Sequence, residues 1–138
     1  ARPADAERHP ALEAGVTGMS EILLPVRTYS ELNLRTHWRQ RARRVAGQRE
    51  AARFLVRSGL TGSPHRAGVR PRDQALTVRL TRIAPRGLDS DNLAGALKAV
   101  RDGVADALGM DDGDPRFEWL YAQRQGRPGE HSVLVEIR

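Results

Sequence analysis

The chain has 138 residues, no cysteine, 39% apolar and 4% aromatic residues, and 23 basic against 17 acidic side chains, for a formal charge of +6. The missing cysteines exclude a disulfide scaffold, a thiol nucleophile and thiolate-ligated zinc or iron–sulfur centres, and His9, His37, His65 and His131 show no ligand-pair spacing, so any metal is expected on oxygen. A chain of this size buries about 68% of its unfolded surface; with no 18-residue apolar run and no apolar signal segment in the first 20 residues, it reads as one soluble cytosolic domain.

Residues 1–18 lack hydrophobic periodicity and read as a loosely ordered extension, with Met19 as the expected functional start of a domain over 19–138. Glu21 to Val26 predicts a short strand near Pro25. From Leu32 to Val56 the spacing of Trp38, Ala42, Val45, Ala52 and Leu55 predicts a helix, with a break into two pieces allowed at Gly47. Ser58 to Asp73, rich in Gly, Pro and Ser, predicts a mobile loop. Gln74 to Ile83 alternates Leu76, Val78 and Leu80 against Thr77, Arg79 and Thr81, a half-buried strand. A second amphipathic helix carries Leu93, Leu97, Val100, Val104 and Leu108, with Ser90 or Asp91 as its cap. Phe117 to Gln123 and Ser132 to Ile137 flank Gly126-Arg127-Pro128-Gly129 and predict a hairpin. The expected fold is a mixed α/β (α+β) domain of β-α-β-α-β-β order, with two main helices on a small sheet.

Twenty-two of the basic residues are arginine and one, Lys98, is lysine. Eight arginines lie between Arg35 and Arg57 (35, 39, 41, 43, 44, 49, 53 and 57) against one acid, Glu50. Several stand four apart, where like charges repel by a few tenths of a kcal/mol per pair. Phosphate is the natural compensating partner, because the guanidinium fork matches its oxygens and counterions are released. Arg35, Arg39, Arg43, Arg44, Arg49, Arg53 and Arg57, with Arg86 in the turn before the acidic pair, are the predicted nucleic-acid contacts, the charge alone not naming the kind. The competing reading is a solvated basic face in an arginine-rich sequence.

Eight of the 17 acids fall between Asp89 and Glu118. Asp89 and Asp91 follow a strand two residues apart, and Asp111, Asp112 and Asp114 follow the second helix. Carboxylates crowded in a phosphate-binding protein call for a cation between them, and magnesium prefers hard oxygen ligands, often one or two carboxylates plus substrate phosphate. Taken singly, each acid reads as a helix cap or part of an acidic turn rather than a ligand; taken together beside the basic helix, they read as a site.

Asp89-Ser90-Asp91-Asn92-Leu93, a helix with an embedded lysine, and Met110-Asp111-Asp112 resemble the signature of the RusA-type crossover junction endodeoxyribonucleases, the Holliday junction resolvases frequent in phages and prophages. Asn33 and the Trp38-Arg39 segment resemble the family's N-terminal asparagine and basic-aromatic stretch, and the resemblance spans roughly residues 20–138. It implies a cytoplasmic homodimer, in a bacterial or phage-infected cell, that cuts four-way DNA junctions in recombination and repair with Mg²⁺, or Mn²⁺ in its place. The implied catalytic residues are Asp89, Asp91, Asp112 and Lys98, and the implied metal ligands are the same aspartates with Asp111. The sequence departs from the family at the lysine: Gly95 stands at the usual position, and Lys98 lies about 10 Å further along the helix axis than Asp91. Without a catalytic role Lys98 would simply pair with Asp102.

A helix unbroken from Asn92 to Leu108 is about 25 Å long, and Gly109 to Asp112 can return only about 13 Å. Either that helix stops near Gly103, or the metal site is assembled across a dimer, which is the favoured expectation. Two other functions remain open to the sequence: a catalytically inactive branched- or duplex-DNA-binding phage protein of the same fold, and an acidic protein-interaction surface that masks the basic helix.

Overall fold

The computed structural model describes residues 19–30 and 37–138. The predicted extension 1–18, Asn33, Arg35 and the predicted start of the basic helix at Leu32 lie outside the described residues. The elements are β1 (Ser20–Leu24), α1 (Trp38–Gly59), β2 (Leu76–Ala84), α2 (Ser90–Ala107), β3 (Phe117–Gln125) and β4 (Ser132–Ile137). This is the mixed α+β domain and the β-α-β-α-β-β order expected from the sequence.

The sheet order is β1-β4-β2-β3. β4 pairs antiparallel with both β1 and β2, and β2 pairs parallel with β3, so β1, β2 and β3 all run one way. The predicted hairpin is therefore corrected: β3 lies at the far edge beside β2, while β4 crosses into the middle of the sheet. Local turn chemistry at Gly126 to Gly129 favours adjacent antiparallel strands. Here β4 instead places Val133, Val135 and Ile137, all buried, on the apolar face between β1 and β2.

The apolar positions of β2 and β4 pack under Ala52 and Val56 of α1 and under Leu93, Leu97, Val100 and Val104 of α2. Full burial of each such aliphatic side chain stabilises the fold by about 1.5–3 kcal/mol. The stripe predicted for α2 is the buried one. For α1 the predicted apolar face is rotated: Trp38 is 66% exposed, and Gln48, Ala52 and Val56 are the buried residues. Burial in α1 begins at Gln48, so the apolar residues of its first turns have no core to meet.

No break occurs at Gly47, and α1 is continuous from Trp38 to Gly59. Nor does α2 stop at Gly103. That glycine is where the helices cross, since a Cβ there would collide with the Arg49 carbonyl oxygen and come 2.7 Å from Ala52 Cβ. Asp89, rather than Ser90 or Asp91, caps α2, its Oδ1 accepting from Asn92 N at 3.0 Å. Pro25 follows the last residue of β1, where the missing N–H ends the ladder.

The segment predicted as a mobile loop is anchored at both sides. His65, only 3% exposed, has Nδ1 2.7 Å from Ser20 Oγ, and Arg70 Nη2 donates to Leu108 O at 2.6 Å. Burial and the nearby Arg70 guanidinium hold the His65 imidazole below its ordinary pKa. Among the described residues no helix is long and apolar enough to cross a membrane.

Candidate functional site

Because β1, β2 and β3 run in one direction, their C-terminal ends share one edge of the sheet, and the N-terminus of α2 opens there too. In open sheets with parallel strands this is the end where ligands collect. It carries Asp89 and Asp91, both exposed. The turn leading to Asp89 is tied to β3 by one side chain: Gln123 Oε1 accepts from Leu88 N at 2.9 Å, and Nε2 donates to Leu88 O at 2.6 Å. Ser30 Oγ donates to Asn92 Oδ1 at 2.9 Å, joining the segment after β1 to the first turn of α2. Beside them Pro85, Arg86, Gln123 and Arg124 line a cleft of about 270 Å³.

Asp112 is elsewhere. Its Oδ2 lies 2.9 Å from Lys98 Nζ and 3.2 Å from Arg101 Nε, while Lys98 also donates to Asp102 Oδ1 at 2.6 Å. The hydrogen bond from Lys98 leads the effects that hold the Asp112 carboxyl below its usual range. Lys98 is pushed up by its hydrogen bonds to Asp102 and Asp112, although partial desolvation opposes them. Arg101 completes the cluster, donating to Tyr121 OH at 2.7 Å and to Asp112 O at 3.1 Å, with its guanidinium 4.8 Å from the Trp119 ring centroid. The predicted Lys98–Asp102 pair is present, and the same ammonium also reaches a predicted site aspartate. Arg101 was not among the predicted site residues.

Lys98 lies about 10 Å along the helix from Asp91, and its ammonium reaches onward to Asp102, a turn beyond. Within one chain, then, the acids form two groups: Asp89 and Asp91 at the N-terminus of α2, and Asp102 and Asp112 along its middle. Asp111 Oδ2 accepts from Gly113 N at 3.2 Å, its one side-chain bond among the described residues. Among the described residues no three acids or histidines come together in a metal-binding group.

The predicted DNA-binding arginines also divide. Arg49 is bidentate to Asp106, at 2.7 and 3.0 Å, bracing α1 against α2, and the hydrogen bond from Arg49 holds the Asp106 carboxyl low. Arg53 pairs with Glu50 at 2.8 Å. Arg39 lies over the Trp38 ring at 5.2 Å, and Arg44 over Tyr29 at 4.9 Å. Arg43, Arg57 and Arg86 are exposed. At the opposite end of α2, Arg70, Arg72 and Arg116 line a second basic cleft of about 450 Å³ beside Met110.

No family model matches the chain. It is similar to an uncharacterized protein of Xylella fastidiosa (strain Temecula1 / ATCC 700964), 34% identical over 109 residues that cover 72% of this chain. The chain spans 64% of that protein's length.

Proposed function

We propose that the chain is a metal-dependent DNA endonuclease of the RusA type, acting on four-way junctions. The supporting observation is that Asp89 caps α2 and Asp91 stands in its first turn, at the C-terminal edge of the parallel strands, where Gln123 pins the preceding turn at Leu88 beside a cleft lined by Arg86 and Arg124. The donor chemistry of this pair suits magnesium. Asp89 commits one oxygen to the helix cap, and the Asp91 carboxylate has no hydrogen-bond partner among the described residues. An ion bound there would polarise a phosphodiester and lower the pKa of a water molecule.

The protein's own contribution is positioning and charge. Gln123 fixes the turn, and Arg86 and Arg124 offer guanidiniums to backbone phosphate. The exposed side of α1, with Arg39, Arg43 and Arg57, offers a longer basic surface. Since α2 does not stop at Gly103, Asp112 reaches the metal pair of a second copy more readily than its own. A homodimer sharing the acids of two chains is part of the proposal.

The assay is a labelled four-way junction with Mg²⁺ or Mn²⁺. Wild-type protein is expected to give paired cuts, and Asp91→Asn is expected to lose them while binding the junction. No product from wild type, or undiminished cleavage by Asp91→Asn, overturns the proposal. A second reading, a branched- or duplex-DNA-binding protein without chemistry, is favoured by one observation: Asp112 is already neutralised by Lys98 and Arg101. It predicts salt-sensitive binding that is indifferent to Mg²⁺.

A further inference from the structure

Arg82 falls in step with Leu76, Val78 and Leu80 on β2, and so stands on the strand's core side. It is 7% exposed. Its Nε donates to Thr28 Oγ1 at 3.0 Å and its Nη1 to Arg86 O at 2.7 Å. Both acceptors are neutral. Nη2 has no acceptor, and no carboxylate pairs with this guanidinium, among the described residues. A buried cation normally has a counter-charge, because leaving water without one is costly.

The surroundings add positive charge instead of removing it. Burial, and then the Arg27 guanidinium, push Arg82 below its ordinary pKa. His131 precedes β4 at the same edge of the sheet. Its Nδ1 is buried with no hydrogen-bond partner, and burial, Arg27 and Arg82 hold its imidazole low. A neutral imidazole can present Nδ1–H as a donor. Arg27 is exposed, and its guanidinium lies over the Tyr29 ring at 5.2 Å. Arg82 bonds Thr28, which follows Arg27, and Ile83 beside Arg82 pairs with Ser132, which follows His131, so the three residues stand at one end of the sheet, and among the described residues no carboxylate pairs with them.

We infer that Arg82, Arg27 and His131 form a binding site for one phosphate-class oxyanion at the C-terminal end of β2. A tetrahedral oxyanion provides the missing charge and several acceptor oxygens, and guanidinium is well matched to it. The site does not depend on phosphodiester cleavage and uses none of the carboxylates assigned to the metal. Its occupant is free phosphate or a phosphodiester of a nucleic acid strand.

The test titrates inorganic phosphate into the full chain, without metal or DNA, by calorimetry and by ³¹P NMR at constant ionic strength. One phosphate is expected to bind per chain. Arg82→Gln is expected to weaken it about tenfold or more, as loss of a charge-assisted hydrogen bond does. Arg27→Gln, at an exposed position that does not endanger folding, is expected to weaken it severalfold, and His131→Phe likewise. The dinucleotide thymidylyl-thymidine, with one phosphodiester, then identifies the source: displacement of phosphate assigns the site to a nucleic acid backbone, and no displacement assigns it to free phosphate. No phosphate binding by wild type, or unchanged affinity in the folded Arg27→Gln and His131→Phe variants, overturns the inference. Because neither metal nor junction is present, a negative cleavage assay leaves this result standing.

Discussion

The carboxamide of Gln123 reads the backbone of Leu88 as a neighbouring strand would, donating to its carbonyl at 2.6 Å and accepting from its N–H at 2.9 Å. The turn carrying Asp89 is thereby fastened to the edge strand β3. Gln123→Ala frees both bonds and is expected to destabilise the domain by about 1–2 kcal/mol. Hydrogen exchange at the Leu88 amide is the specific measure. It should accelerate in the variant, and an unchanged rate would show that the clamp does not hold the turn.

The glycines of the two helices predict opposite signs. Nothing lies within 4 Å of a Cβ built at Gly47; Gly47→Ala should stabilise by about 0.5–1 kcal/mol through helix propensity. Gly103→Ala forces the helices apart at their crossing and should cost about 2–3 kcal/mol. Urea unfolding midpoints of the two variants, compared with wild type, decide both.

Gly95 also has open space around it. Gly95→Lys therefore fits without repacking and places an ammonium one turn from Asp91. If the endonuclease proposal holds, this variant is expected to gain cleavage at unchanged junction affinity. Lys98→Arg separates the roles of the native lysine: cleavage lost with binding kept indicates a need for a compact ammonium, and full cleavage assigns Lys98 to bracing Asp112.

Acid sensitivity follows from depressed carboxyl pKa values. Hydrogen bonds from Lys98, Arg49 and Arg116 lead the effects lowering Asp112, Asp106 and Asp114, the last to about 2. A carboxyl with a lower pKa when folded contributes stability above its unfolded pKa of 3.8 and loses it as pH falls towards the folded value. Buried His65 has the same sign, its contribution being lost as pH falls below the ordinary 6.5. Stability measured by urea midpoint should therefore decline in two stages, first below about pH 6.5 and again below about pH 4. His65→Gln should reduce the first stage, to which His131, also held low, contributes with the same sign, and Asp112→Asn should reduce the second.

The arginines of α1 are predicted to separate in a salt titration of DNA binding. Arg43→Ala and Arg57→Ala should each lower the slope of log affinity against log salt by about 1. Arg49→Ala should change that slope little and instead lower thermal stability, since its guanidinium is held by Asp106. Equal slope changes for all three would contradict this division.

Periodicity made the elements legible because burial follows it: Leu93, Leu97, Val100 and Val104 are buried as their spacing requires. Strand pairing was less legible. The Gly126-Arg127-Pro128-Gly129 run in the six-residue connection between β3 and β4 says hairpin to any local reading, while the core is completed by non-local pairing of β4 with β1 and β2. At the site, the acids and Lys98 stood out by residue type, but Gln123 did not, because a glutamine at a strand end carries no local signal. Arg82 did carry one. It continues the inward alternation of Leu76, Val78 and Leu80, and a charged residue in that step marks a cation sent towards the interior.

The central place of β4 also governs how the chain must acquire its structure. Ser20 in β1 pairs with Ile137 in β4, and β1 reaches β2 only through that strand. During synthesis β1 and β2 emerge long before the segment that joins them, each with an unsatisfied edge open to other chains. Long-range pairing of this kind is slow to form. A nascent chain stopped before Ser132 can pair β2 with β3 but leaves β1 detached, so the sheet beneath the two helices becomes continuous only after β4 has left the ribosome.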